Sequence, residues 1–300
     1  MITDAVQSAI RAIERDAALY DEPNFSARLE AIDDLEFHVI DRIDGALQAL
    51  GPAEELLALK RRAEDVKRQL EAVDERLFRR LRADIRSGAL RGAALAALID
   101  RHVGRDANAR RRPDEPGYDS LDAFVNGLLL TQALPTEIAA SDPEMVPYQQ
   151  TPARIILELV ERAALAGDDI FYDLGSGLGH VPILVNLLSG APARGVEIDP
   201  ALCDYARARA TELGLPGVTF IRADARAADY SEGTVFFMYT PFRGAMLEAA
   251  LEKLRRDTRG RAIRLFSYGP CTQQVAQQSW LQSADLGWDN VNRLCAFRSA

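Results

Sequence analysis

Between residues 171 and 243 the chain places carboxylates, glycines and aromatic rings at spacings that suit a nucleoside site. Phe171-Tyr172-Asp173-Leu174 is a short apolar run carrying one carboxylate, and Gly175, Gly177 and Gly179 alternate directly after it. Glycines at such a turn let the backbone bend sharply and approach a ligand with no Cβ in the way. A second apolar run, 193–198, ends in Glu197-Ile198-Asp199-Pro200. Its acidic tip lies about 20 residues beyond the last glycine, where a carboxylate can accept from two ribose hydroxyls. A third run, 218–221, leads to Asp224-Ala225, and a carboxylate there can accept from an adenine amino group. A fourth, 234–238, runs into Tyr239-Thr240-Pro241-Phe242. In open sheets the ligand crevice lies at the carboxyl ends of the strands, so this last loop faces the reacting group. A dehydrogenase would carry much the same first pieces, which therefore leave the cofactor open.

The elements that must position these residues are legible in outline. Ile170–Leu174, Ala193–Ile198, Val218–Ile221, Thr234–Met238, Ala262–Ser267 and Val291–Ser299 read as strands. A helix over 178–188 follows the glycine turn, with Pro182 in its first turn, where proline is tolerated. Ser120 is expected to cap a helix to about Leu130. Thr151 is expected to cap a helix to Ala166, with Pro152 its first residue. Tyr268 and Cys271, after the fifth strand, are possible substrate contacts, with Cys271 read as structural. Trp288 falls in the turn before the last strand. His180 is expected on the surface or the rim of the cofactor site.

The N-terminal part has a different period. Ile2, Val6, Ile10 and Ile13 mark one face of a helix over 2–20. Leu29, Ile32, Leu35, Val39, Ile43, Leu47 and Leu50 mark a second, from about Ser26. After Gly51-Pro52 a third runs from Ala53 to Arg86, with Leu59, Ala63, Val66, Leu70, Val73 and Leu77 at heptad-like steps. These stripes fit a small helical bundle, with dimerisation through the third helix the alternative. A shorter helix covers about 88–101. Arg101 to Gly117, rich in Arg, Asp, Gly and Pro, is the expected boundary. The domains are thus 1–112, N-terminal and all-α, and 113–300, α/β.

The formal net charge is −9, which argues against a general nucleic-acid binder. Only residues 52–112 are basic in balance, which reads as a solvated helix face or a docking site for an acidic partner. Cys203, Cys271 and Cys295 are too far apart for a metal or disulfide framework. They fit a reducing, cytoplasmic setting. No apolar run approaches the ~20 residues that cross a bilayer.

The glycine pattern is Gly-x-Gly-x-Gly with Asp173 two residues ahead. With Gly195-Val196-Glu197-Ile198-Asp199 and Ala223-Asp224-Ala225, it resembles the class I S-adenosylmethionine (SAM) methyltransferases over about residues 145 to 298. The resemblance implies an α/β, Rossmann-like, seven-stranded sheet, SAM as cofactor and S-adenosyl-L-homocysteine as product. Asp173, Gly175, Ser176, Gly177, Gly179, Glu197, Asp224 and Ala225 are then cofactor contacts. Pro147-Tyr148-Gln149-Gln150-Thr151 adds a likeness to the non-SET (disruptor-of-telomeric-silencing-type) histone lysine methyltransferases. There a Tyr-x-x-Thr loop closes over the methionine end of the cofactor, which puts Tyr148 and Thr151 in the set.

Amine-directed methyltransferases often carry Asn/Asp-Pro-Pro-Tyr/Phe at the end of the fourth strand. Tyr239, Thr240, Pro241 and Phe242 stand there and are the catalytic candidates. Pro241-Phe242 matches, whereas Tyr239 replaces the amide, so it acts by its side chain or only its carbonyl. The histone enzymes carry Asn-Phe-Ala-Phe-Gly at this point, again a partial match. Packing alone is the plainer role for Phe242. The acceptor is a protein side chain, by the likeness a lysine-type amine, or a small molecule. The alternatives are a non-catalytic SAM-binding scaffold acting through the helical domain, and a nicotinamide dehydrogenase, which the glycine spacing disfavours.

Overall fold

The computed structural model describes residues 2–104, 117–130, 135, 143–285 and 290–299. Most of the expected domain boundary and Trp288 lie outside the described residues. The described residues within Met1–Arg82 and Ala97–Ala107 pack as one unit, and those within Ala83–Ala96 and Asn108–Ala300 as another.

The first unit is helical: α1 (Ile2–Arg15), α2 (Phe25–Asp33), α3 (Asp41–Leu50), most of α4 (Glu54–Arg86) and the end of α5 (Gly92–Val103). The apolar stripe of α4 is buried as its spacing predicts, from Leu59 through Leu77. The expected first helix is shorter, because Asp16 accepts from the Ala18 amide (3.1 Å) and starts a separate 3₁₀ turn, Ala17–Tyr20. The expected second helix is interrupted by a π-helical stretch, Asp34–Ile40, whose wider turn buries the adjacent pair Val39 and Ile40. Arg28 is wholly buried, donating to Asp74 (2.7 Å) and to the Leu19 and Asp21 carbonyls (2.9 Å each).

The second unit contains α6 (Ser120–Leu129), α7 (Ala153–Ala163) and the sheet. Strands β1 (Phe171–Leu174), β2 (Ala193–Glu197), β3 (Val218–Arg222), β4 (Val235–Tyr239), β5 (Arg264–Tyr268), β6 (Leu281–Ser283) and β7 (Cys295–Ser299) line up in the order β3-β2-β1-β4-β5-β7-β6. The first five are parallel, and β7 runs antiparallel between β5 and β6. β6, only three residues long, has no signal of its own in the sequence. Helices α8 (His180–Ser189), α9 (Pro200–Glu212), α10 (Gly244–Asp257) and α11 (Cys271–Ala276) accompany it. β1 is buried throughout, as a strand covered on both faces should be. Strand order reverses between β1 and β4, so the crevice at their carboxyl ends is the expected ligand site.

Two capping expectations are corrected. Asp119, not Ser120, caps α6, accepting from the Leu121 amide (2.9 Å) in a capping box closed by Asp122. Thr151 makes no cap for α7, whose flanking residue is Pro152. Instead the Ala153 amide donates to Asp122 Oδ1 at 2.7 Å. One buried carboxylate thus serves both helix starts, because α6 brings it to the head of α7 and a threonine hydroxyl is not needed there.

Candidate functional site

The carboxyl ends of β1, β2, β3 and β4 open into a cavity of about 750 Å³. Glu197, Ile198 and Asp199 line one end with Asp224 and Ala225, and Tyr239 to Arg243 with Pro270 and Cys271 line the other. Met145 to Gln149 lie along it between the two. Tyr148, Gly175, Glu197, Asp224, Ala225, Tyr239, Thr240, Pro241 and Phe242 of the sequence-derived set therefore share one cavity. Thr151, Asp173, Ser176, Gly177 and Gly179 are not among its lining residues; Thr151, Asp173 and Ser176 are buried.

The glycine turn holds its shape by spending its amides inside the protein. Gly175 and Ser176 N–H both donate to the Val196 carbonyl (2.9 and 3.0 Å), Gly177 N–H to Glu197 Oε2 (2.8 Å) and Gly179 N–H to the Ser176 carbonyl (2.9 Å). A pyrophosphate would find those four donors already engaged, which counts against the dinucleotide reading. The glycines are required by close approach. Gly175 (φ 82°) faces Pro241, and Gly177 (φ 51°) faces the Tyr148 ring; a Cβ at either would overlap its neighbour. The turn after β1 is thereby fitted directly against the candidate acceptor loop and the 145–149 segment.

Two carboxyls of the set are shifted by burial. Asp173 is fully buried, and among the described residues its carboxyl makes no side-chain hydrogen bond. Burial, and then the Glu197 charge, holds it well above the usual carboxylate range. Glu197 is also raised by burial, although it accepts from the Gly177 and Asp199 amides at 2.8 Å each. A positive ligand group beside this pair relieves both. Asp224 is held low by its bidentate pair with Arg226 and stays an acceptor at the cavity wall.

At the other end Tyr239 closes β4, its ring 4.8 Å from that of Tyr268 and tilted by 48°. Burial pushes its phenol up to about 12, so it is protonated near neutral pH. Thr240 sits at φ 38°, outside the usual range for a branched residue. Its hydroxyl secures that shape, donating to the Tyr268 carbonyl and accepting from the Cys271 amide, both 3.2 Å. The Pro241 carbonyl accepts from Val146 N–H (3.1 Å). Phe242 both lines the cavity and belongs to the apolar core with Met246 and Leu247.

His180 is neither at the surface nor at the rim. It is buried, its Nε2 lies 3.1 Å from Asn126 Oδ1 of α6, and burial lowers it to about 4. It stays neutral because nothing charged compensates for its desolvation. Ile198, Met246 and Leu247 also line the cavity and were not anticipated. Ile198 alone carried a signal, as an apolar residue between two strand-end carboxylates; it is 41 % exposed.

A seven-stranded sheet of this order, with a glycine turn and acidic strand tips at one crevice, is a Rossmann-like fold. The chain belongs to the class I SAM-dependent methyltransferases. A family model described as "Histone methylation protein DOT1" matches residues 144–217. A protein-lysine N-methyltransferase of Saccharolobus islandicus is 34% identical over 118 residues, covering 38% of this chain and 73% of that protein. An RNA methyltransferase from Salinibacter ruber, solved in complex with S-adenosyl-L-homocysteine, is 27% identical with a TM-score of 0.40. It covers 50% of this chain and 92% of its own. Precorrin-6y C5,15-methyltransferase from Geobacter metallireducens is 17% identical with a TM-score of 0.39, over 56% and 99%. Family membership rests on the lysine-methyltransferase relative, covered over 73% of its length, and makes the chain a SAM-dependent enzyme. Among the described residues no helix is long and apolar enough to cross a membrane.

Proposed function

We propose that this methyltransferase acts on a protein side-chain amine, a lysine in the first instance. The observation that carries this reading is that Tyr239–Phe242 and the Glu197–Asp224 wall line the same cavity, so a nucleoside and an acceptor can meet in it. The similarity to a protein-lysine N-methyltransferase over 118 residues supports the choice of acceptor.

SAM supplies a methyl group on a sulfonium, already activated for in-line displacement, so the protein needs to orient and to exclude water more than to supply acid or base. Asp173 and Glu197 fit it as the carboxylates facing its ammonium and ribose hydroxyls. Asp224 accepts from the adenine amino group, and Ile198 with Met246 and Leu247 gives the ring apolar walls. Tyr148 covers the amino-acid end, with Thr151 behind it. The backbone amides of Gly175, Ser176, Gly177 and Gly179 fix the turn, and Ala225 borders the adenine.

At the acceptor end Thr240 offers its main-chain carbonyl at a fixed angle, the Pro241 carbonyl being taken by Val146 N–H, and Phe242 walls off water. A raised phenol makes Tyr239 a hydrogen-bond partner of the amine instead of its base, so the acceptor gives its proton to water before attack. The helical part, residues 1–112, is assigned recognition of the acceptor or self-association, with residues 113–300 carrying the chemistry.

Tritiated SAM incubated with the full chain and fractionated lysate protein tests this. Acid hydrolysis of the labelled protein should release radioactive methyl-lysine. Label confined to small molecules or to other residues would refute the lysine assignment.

A further inference from the structure

The segment 144–146 crosses to the acceptor loop and is fastened to it at several points. Met145 pairs with Phe242 as an isolated antiparallel bridge. Its two flanking hydrogen bonds run from Arg243 N–H to the Glu144 carbonyl (2.9 Å) and from Val146 N–H to the Pro241 carbonyl (3.1 Å). The side chain of Glu144 then turns to α10. Its Oε1 accepts from Ala245 N–H (3.1 Å) and its Oε2 from Met246 N–H (2.7 Å). Arg243, at the N-cap position, gives α10 no side-chain cap, so these first-turn amides are served from outside the helix. A carboxylate there also meets the positive end of the helix dipole. Gly244 makes room: a Cβ on it would overlap the Glu144 carboxylate. Gln274 Nε2 donates to the Gly244 carbonyl at 2.8 Å, tying α11 to the same point.

We propose that Glu144 is a positioning residue of methyl transfer: through its carboxylate and carbonyl it sets the shape of the loop Tyr239–Phe242 without itself touching cofactor or acceptor. The loop's inner side rests on Thr240 and its hydroxyl contacts; its outer side has this strap. A loop released on that side keeps its residues but not the angle at which the Thr240 carbonyl meets an amine. Tyr148, four residues on, lies against Gly177 and not on α10, so cofactor binding and loop geometry are held by different ends of one strap. The consequence for turnover rests on the amine-transfer reading; the clamp itself does not.

The test uses the full chain with Glu144→Ala and Glu144→Gln, the second retaining an amide oxygen that can accept. Hydrogen exchange at the amides of residues 243–246 should quicken at least about tenfold in Glu144→Ala and by less in Glu144→Gln, which keeps an acceptor for one of the two amides. Titration with SAM should give affinities within about threefold of wild type for both. With total lysate protein and tritiated SAM, turnover at saturating SAM should fall at least about tenfold in Glu144→Ala and recover in part in Glu144→Gln. Unchanged exchange in Glu144→Ala would overturn the clamp. Equal losses of SAM affinity and turnover with no recovery in Glu144→Gln would reduce Glu144 to a general structural residue and overturn the proposal too. If the wild-type chain labels no lysate protein, the acceptor reading fails while the exchange measurement still decides the clamp.

Discussion

Asp173 carries the sharpest electrostatic consequence. Its carboxyl is raised by burial and by Glu197, so without cofactor it takes up a proton more readily than an exposed aspartate. A folded-state value above the unfolded one means its stabilising contribution is present at low pH and lost as pH rises through that raised value. Bound SAM reverses the preference, because only the ionised carboxylate balances an ammonium. SAM affinity should therefore rise as pH rises through that raised value, and Asp173→Asn should weaken binding at least about tenfold above it while flattening the profile. Calorimetric titrations over a series of pH values check this; a flat wild-type profile would remove Asp173 from the cofactor's ammonium.

Tyr239 and Phe242 make opposite predictions. Because the phenol is pushed up to about 12, Tyr239→Phe should change turnover by about twofold or less if only the backbone orients the amine, against about 10²-fold for a true base. Phe242→Ala should cost more, but the ring is also core, and truncating it there costs about 3–5 kcal/mol of stability. Phe242→Leu, read beside its melting temperature, separates the two effects. Glu197 and Asp224 could be placed at the cavity from the sequence because chemistry and position both lie in a few consecutive residues, and Ile198 between the acidic tips carried a weaker signal. Met246 and Leu247 could not, since an apolar side chain lining a cavity has the same composition as one in the core. Thr240's strained backbone was equally invisible, for it depends on Tyr268 and Cys271 from the neighbouring strand's loop.

At the scale of elements, the parallel strands were legible as apolar runs with acidic or glycine ends, whereas β6 and the caps were not. Ser120 and Thr151 have the right chemistry for N-caps, yet Asp119 and the distant Asp122 took both places. Local propensity ranks candidates, but a carboxylate delivered by another helix outcompetes a hydroxyl in the chain. Asp122 is buried and raised by desolvation, partly offset by the Ala153 and Asp119 amides that donate to it. Asp122→Ala should thus remove the acceptor at the head of α7 and the one that closes the α6 capping box, and cost roughly 1–3 kcal/mol. Asp122→Asn keeps oxygen for only one and should fall between. Urea unfolding of the two variants measures this, and equal losses for Asn and Ala would show that the second cap contributes nothing.

At the scale of the molecule, a boundary near residue 112 is the proposal that composition supports. The packing adds a constraint that composition could not supply. Ala83–Ala96, the end of α4 and the start of α5, belongs with the sheet unit although it is helical and lies well before that boundary. Arg91 donates to Asn186 Oδ1 of α8 at 3.3 Å, Gly92 lies against the Leu188 carbonyl, and Arg86 lies against Gly214. The heptad-like stripe of α4 gave no hint of a change of allegiance, because its period continues unbroken through Leu81 and Ile85, both buried. A chain beginning at residue 113 should therefore lose a patch that covers α8 and the end of α9, the helices that back the glycine turn and the acidic tip of β2. It should melt several degrees below a chain beginning at residue 83, since about 1 kcal/mol shifts the midpoint of a domain this size by ~2–4 °C. SAM affinity should follow stability, full in the chain from 83 and weakened in the chain from 113. Equal melting temperatures and equal SAM affinities for the two chains would mean that Ala83–Ala96 only rests on the methyltransferase unit, and the cut could then be made at 113.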